Sequence, residues 1–197
     1  MTNAEKIIKM AVDNNGYVTT KQVKSAKINT IELTRLVEKN KLERVARGYY
    51  VMVNCCCDDY YKYQLKSKNC VFSHATALYF YDLSDRTPLY FDMTVPIGYS
   101  GSLSKNKSVV LHYVKRDILE LGLTIIESPF GMKIRTYDLE RTICDIVKYR
   151  NHMDKEIFTK ALQKYSKLKN KDLNKLMRYA KKLNIDTKIR EYMEVLL

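Results

Sequence analysis

The feature that most constrains this chain is the order of patterns in its first 54 residues. Ile7, Ile8, Ala11 and Val12 recur at helical spacing, and Asn15-Gly16 stops that helix. Tyr17-Val18 is a short extended piece. Thr19 or Thr20 can cap a second helix with Val23 and Ala26 on its inner face. Lys27-Ile28 forms a turn, and Asn29 caps a third helix running to Lys39. Leu42–Arg47 and Tyr49–Val53 then read as two strands around Gly48. Helix, short strand, helix, turn, helix, hairpin is the order of a winged helix-turn-helix.

On a helical wheel the third helix turns Leu33, Leu36 and Val37 to one side, which is expected to face the core. Ile31, Arg35 and Glu38 fall opposite, with Thr30 and Thr34 flanking at the N-terminal end. A recognition helix needs first turns polar enough to reach base edges. Arg35 can bond guanine bidentately, and an exposed Ile31 can pack on a thymine methyl. Free N–H groups after Asn29 would suit a phosphate. Arg44 and Arg47 lie near the hairpin tip, where a wing meets backbone phosphates or the minor groove.

The charge fits that reading. The 197 residues hold 35 Lys and Arg against 22 Asp and Glu, a net charge of +13, which draws a protein to polyanions. Residues 1–54 carry 10 basic and 5 acidic side chains, residues 55–150 carry 13 and 11, and residues 151–197 carry 12 and 6. The two ends hold the positive charge. No apolar run approaches a membrane span, and Met1–Lys6 lacks the apolar core of a signal peptide, so a cytoplasmic protein is expected.

The remainder reads as an α+β domain. Ser73 can cap a helix over His74–Tyr81. Tyr90–Val95, Ser108–Val114, Leu123–Ile126 and Lys133–Thr136 read as strands of a small antiparallel sheet, and Asp138 caps a helix carrying Leu139, Ile143, Ile146 and Val147. Residues 98–107 hold two glycines and two lysines. They read as a hairpin loop, with a backbone phosphate cradle as the alternative. Residues 151–197 are helical, in three apolar stripes: Ile157, Phe158, Ala161, Leu162 and Tyr165; then Leu173, Leu176, Met177, Ala180 and Leu183, in a helix capped by Asn170; then Ile189, Tyr192, Met193 and Leu196, in a helix capped by Asp186. Opposite the middle stripe, Lys171, Lys175, Arg178 and Lys182 form a basic ridge, either a surface for an acidic partner or nucleic acid, or a solvated face. The expected organisation is a winged helix over 1–54, a connector over 55–72 and a mixed α/β domain over 73–197.

No catalytic motif stands out. Five cysteines (Cys55, Cys56, Cys57, Cys70 and Cys144) include no C-x-x-C pair and make a poor disulfide framework, so no metal or cofactor is expected. His74, His112 and His152 have no metal-ligand spacing. A metal-dependent nuclease could use Asp92, Glu127 and Lys133 around Mg²⁺, and this stands as an alternative. A transcriptional regulator sensing a ligand through its C-terminal domain is another.

Several blocks carry a resemblance. Gly16-Tyr17-Val18-Thr19-Thr20, Arg35-Leu36-Val37 and Leu42–Tyr50 come first. Ser73–Tyr79 follows with Leu83–Arg86, then Thr94-Val95-Pro96 with Gly98-Tyr99, and Tyr137–Thr142. In this order the chain resembles the AbiEi-type antitoxins of the AbiE abortive-infection (type IV toxin–antitoxin) systems, over most of its length up to about residue 150. The resemblance implies a DNA-binding antitoxin, not an enzyme. Such a protein represses its own operon by gripping inverted repeats in promoter DNA through the winged helix. Through its C-terminal domain it neutralises a nucleotidyltransferase-type toxin without requiring a stable complex, in defence against phage. Carried over by position, recognition falls on Thr30, Ile31, Thr34 and Arg35, and the wing on Arg44 and Arg47. Cys55-Cys56-Cys57 departs from the family, and Glu32 and Glu38 temper phosphate attraction.

Overall fold

The computed structural model describes residues 1–53, 55 and 58–196. Of the Cys55-Cys56-Cys57 run, only Cys55 lies within them, as a half-buried thiol without a disulfide. The chain divides into two compact units, Met1–Lys68 with Glu127–Met132, and Asn69–Ile126 with Lys133–Leu197.

In the first unit, α1 (Asn3–Val12) opens with a capping box in which Thr2 and Glu5 bond each other's backbone N–H. β1 (Tyr17–Thr19) leads into α2 (Thr20–Ser25), where Thr19, rather than Thr20, makes the same box with Gln22. α3 (Ile31–Glu38) and the hairpin β2 (Leu42–Ala46) and β3 (Tyr49–Met52) follow. The three strands form an antiparallel sheet in the order β1-β3-β2. Ile7, Ala11, Val18, Val23, Leu33, Leu36 and Leu42 close the core beneath it. Two expected core residues are outside it. Val12 is 59% exposed at the end of α1, and Ala26 is exposed where α2 ends.

The expected connector contains α4 (Asp59–Lys66), capped by Asp58 and packed on β2 within the first unit. Asp58 is the unit's buried polar centre. It accepts from Tyr61 N–H (3.2 Å) and from the Ser128 hydroxyl, whose oxygen in turn accepts from the N–H groups of Phe130 (3.2 Å) and Met132 (3.1 Å). Tyr17 OH donates to Asp58 O (3.0 Å), and Met132 packs with Tyr17, Val45 and Val51. A stretch remote in sequence thus completes this core, and no local pattern signals it.

The second unit is built on β4 (Val71–Phe72), α5 (His74–Phe80), β5 (Phe91–Pro96), β6 (Val109–Val114), α6 (Arg116–Leu119), β7 (Leu123–Glu127), β8 (Lys133–Tyr137) and α7 (Leu139–Lys148). α8 (Lys155–Lys167), α9 (Leu173–Lys182) and α10 (Asp186–Leu196) follow. Its five-stranded sheet has the order β6-β5-β4-β8-β7. The sheet is mixed and not antiparallel as expected: β5 pairs with β6, and β4 with β8, in parallel. The reason lies in residues 97–108. A parallel pair needs a crossover of about a dozen residues, and this segment is that crossover, not a hairpin. It carries a 3-10 turn, Ser102–Lys105, anchored by the fully buried Leu103.

The tail packs as its stripes predict. Phe158, Ala161, Leu162, Tyr165, Leu176, Ala180, Leu183, Ile189 and Met193 join Leu78, Ile143 and Ile146 in one core. Leu173, at the start of its stripe, stays 37% exposed. The cap of α9 is Asp172, which accepts from Lys175 N–H (2.8 Å), and not Asn170. Ser73 precedes α5 without a side-chain bond to its N–H groups, because its hydroxyl is taken by His74 Nδ1 and Thr94 Oγ1, both at 2.9 Å.

Tyr137–Thr142 is a structural hub. Asp138 caps α7 (2.9 Å to Arg141 N–H) and accepts from Tyr179 OH (3.0 Å). Arg141 is fully buried. It donates to Asp145 Oδ1 (2.9 Å) and to the carbonyls of Ile118 and Leu121 (2.8 Å each), and its guanidinium lies over the Tyr137 ring. Gly122 must remain a glycine here: its φ is +75°, and a Cβ would come within 2.6 Å of Arg141 Cβ.

Candidate nucleic-acid interface

Helix α3 presents the face that its sequence pattern predicts. Leu33 and Leu36 are buried and Val37 is half-buried, while Ile31 (55%), Thr34 and Arg35 are exposed and Thr30 is partly so. Exposed isoleucine at the first turn gives an apolar contact among polar groups that reach outward. Arg35 Nη1 lies 2.6 Å from Glu32 Oε1, so the guanidinium of the free protein is held along its own helix.

The start of α3 differs from expectation. Thr30 occupies the cap position without a side-chain bond. Asn29 Oδ1 instead accepts from Ile31 N–H (3.0 Å), and the carbonyls of Asn29 and Thr30 take the N–H groups of Glu32 and Leu33 (3.1 Å each). Those amides are engaged within the turn, so they are not a free phosphate cradle.

The hairpin shows why both arginines face outward. A bulge between Arg44 and Ala46 shifts the register of β2 against β3, so that Leu42 and Val45 are buried while Glu43 and Arg44 are exposed. Arg47 and Gly48 make the turn. Gly48 supplies a φ of +80°, and its carbonyl accepts from Thr20 N–H (2.9 Å), which ties the wing tip to the start of α2. Lys62 of α4 pairs with Glu43 at 3.5 Å and offsets the acidic residue beside Arg44.

The C-terminal basic ridge does not form as a continuous surface. Lys171 precedes α9 and donates to Leu168 O (3.1 Å). Lys175 reaches the start of α7, where its Nζ meets Asp138 Oδ2 at 2.9 Å and Glu140 Oε2 at 3.2 Å; these carboxylates raise its pKa, against burial. Arg178 and Lys182 remain exposed. The wheel locates the apolar stripe correctly, but it cannot show that the flank of that stripe faces two carboxylates.

Of the Asp92, Glu127 and Lys133 grouping, Asp92 and Lys133 stand on strands that are not neighbours. Asp92 lies on β5 and Lys133 on β8, with β4 between them, and Asp92 Oδ1 is 2.7 Å from His112 Nε2.

The first unit therefore defines the class: a winged helix-turn-helix, followed by an α+β unit with helical C-terminal elements. Residues 5–53 match the family model described as transcriptional regulator, AbiEi antitoxin. The match falls on the winged helix, where the chain resembles the AbiEi-type antitoxins. Among solved structures, the crystal structure of RV2827C protein from Mycobacterium tuberculosis has a similar fold. Its TM-score is 0.62 at 12% identity, over 92% of this chain and 72% of that one. No curated protein matches the sequence. No helix among the described residues is long and apolar enough to cross a membrane.

Proposed function

We propose that the chain is a DNA-binding antitoxin that represses its own operon. Thr30, Ile31, Thr34 and Arg35 of α3 read an inverted repeat in the promoter, while Arg44 and Arg47 hold the backbone. The observation that carries this reading is the exposed face of α3, opposite the buried Leu33 and Leu36, beside a wing whose bulge turns Arg44 outward. The family match over 5–53 supports it. The second unit neutralises a nucleotidyltransferase-type toxin in the cytoplasm, without a stable complex, as part of defence against phage. It acts without a cofactor. Arg178 and Lys182 are the cations of the former ridge left open to a partner.

The two activities should separate. With a reporter fused to the chain's own upstream DNA, Arg35→Ala combined with Arg47→Ala is expected to abolish repression. Rescue from the cognate toxin should persist in the same cells. Full repression by the double variant would overturn the reading of the winged helix. Loss of rescue together with repression, at unchanged protein level, would overturn the separation of roles.

A further inference from the structure

All three histidines of the chain meet in the second unit, although they lie far apart in sequence. His74 opens α5, His112 is on β6, and His152 follows α7. The rings of His74 and His112 stack with centroids 3.5 Å apart and planes 15° off parallel. Tyr149 stands edge-on to both, at 5.2 and 4.8 Å, and stacks on the exposed His152 at 4.9 Å. Asp92 holds His112, and Ser73 holds His74. Burial, the neighbouring His112 and Arg141 hold His74 well below the ordinary imidazole range, so this ring is neutral and stacks without charge repulsion.

This array walls a cavity of about 400 Å³, which Arg141, Asp145 and Lys148 also line. It adjoins a second cavity of about 370 Å³, sharing His74, Tyr149 and His152. On the other side Lys148 is shared with a third, where Lys115 and Lys182 also lie. Arg141 and Asp145 have each one buried polar atom, Nη2 and Oδ2, without a hydrogen-bond partner. Core ion pairs are ordinarily satisfied at every polar atom. The two residues that carry this unpaired donor and acceptor also belong to the lining of a cavity of ligand size. Among the described residues no three His, Cys, Asp or Glu side chains are grouped to hold a metal ion.

The geometry points to a nucleotide site in the second unit. The planar base lies against the imidazole and phenol rings, with one edge towards Arg141 and Asp145, and the phosphate is held by Lys148. Aromatic faces take any base by stacking. A base edge offers the adjacent acceptor and donor that Arg141 and Asp145 match. The exposed ammonium of Lys148 lies where the aromatic cavity meets the lysine-lined one, which suits the sugar-borne phosphate of the same nucleotide. The inference is independent of the winged helix.

Because these are the only histidines in the chain, their ring C–H signals report on this site alone. Proton NMR of the full-length protein, titrated into the millimolar range with AMP, CMP, GMP or UMP, should show saturable shifts of all three. Inorganic phosphate and an unphosphorylated nucleoside should shift them far less. Lys148→Ala should weaken nucleotide binding roughly ten-fold or more, the loss expected for a hydrogen bond to a charged group, and leave duplex DNA binding unchanged. His152→Ala, also on an exposed residue, should weaken it while the other two signals still respond. Unmoved signals with every nucleotide would overturn the proposal. So would equal shifts with phosphate alone, which mark an anion subsite only, or shifts with a single-stranded oligonucleotide but no mononucleotide, which mark a polymer groove.

Discussion

Replacing Glu32 by Gln tests whether Arg35 must leave its own helix to read DNA. The Arg35 side chain is 61% exposed and its partner 20%, with 2.6 Å between them. A pair this open contributes ~0–1 kcal/mol. A bidentate arginine–guanine contact discriminates by ~1–3 kcal/mol. Exchanging the first for the second therefore reduces the net gain by up to about 1 kcal/mol. Glu32→Gln releases Arg35 and removes a negative charge near the phosphates. Specific duplex should bind about two- to five-fold tighter at low salt, with the difference fading as salt rises. The fold loses only a carboxylate at a helix N-terminus, a favourable contact of ~0.3–1 kcal/mol. Fluorescence anisotropy on wild type, Glu32→Gln, Arg35→Ala and the double variant measures the coupling. With Arg35 already removed, Glu32→Gln should do much less. If Glu32→Gln weakened binding as much as Arg35→Ala does, Glu32 would be an aid to recognition and the reasoning would be refuted.

Other consequences concern stability. Arg141→Ala leaves Asp145 buried and without its guanidinium, and should cost ~3–5 kcal/mol in urea unfolding; a loss under about 1 kcal/mol would show that the hub is dispensable. Lys175→Gln should lower stability by roughly 1–2 kcal/mol, whereas Arg178→Gln and Lys182→Gln should stay within about 0.5 kcal/mol of wild type; equal effects at all three would restore the continuous ridge. Burial pushes the Asp58 carboxyl up, and the Ser128 hydroxyl opposes that shift. A raised folded-state pKa means that this group's stability contribution is complete below the unfolded carboxylate range and is lost as pH rises through the folded value. Ser128→Ala should therefore cost ~1–3 kcal/mol where Asp58 is ionised and needs the donor, and progressively less as acidification protonates it. A cost that grew towards low pH would contradict the assignment.

The winged helix was legible because its evidence is local. The 3.6-residue spacing of Leu33 and Leu36 fixes which side of α3 is buried, and Thr19 with Gln22 writes a cap into four residues. The second unit was less so. β4 has two residues, too few for any alternation, and its insertion beside β5 makes the sheet mixed. The length of residues 97–108 held the clue to a parallel crossover, yet glycine and lysine made it read as a loop. The histidine array had no signal in the sequence, since only the packing of α5 beside β6 brings His74 and His112 together. Lys175 failed for the same reason: a wheel shows where a side chain leaves its helix, but not what stands opposite.

The most direct measurement is a titration of the chain's own upstream duplex, and of a scrambled duplex of equal length, with wild type and with Arg35→Ala combined with Arg47→Ala at two salt concentrations. The account predicts that wild type prefers its own duplex, that the double variant loses this preference, and that its residual binding depends less steeply on salt. An undiminished preference in the double variant would contradict the account and place DNA recognition, if any, elsewhere on the chain.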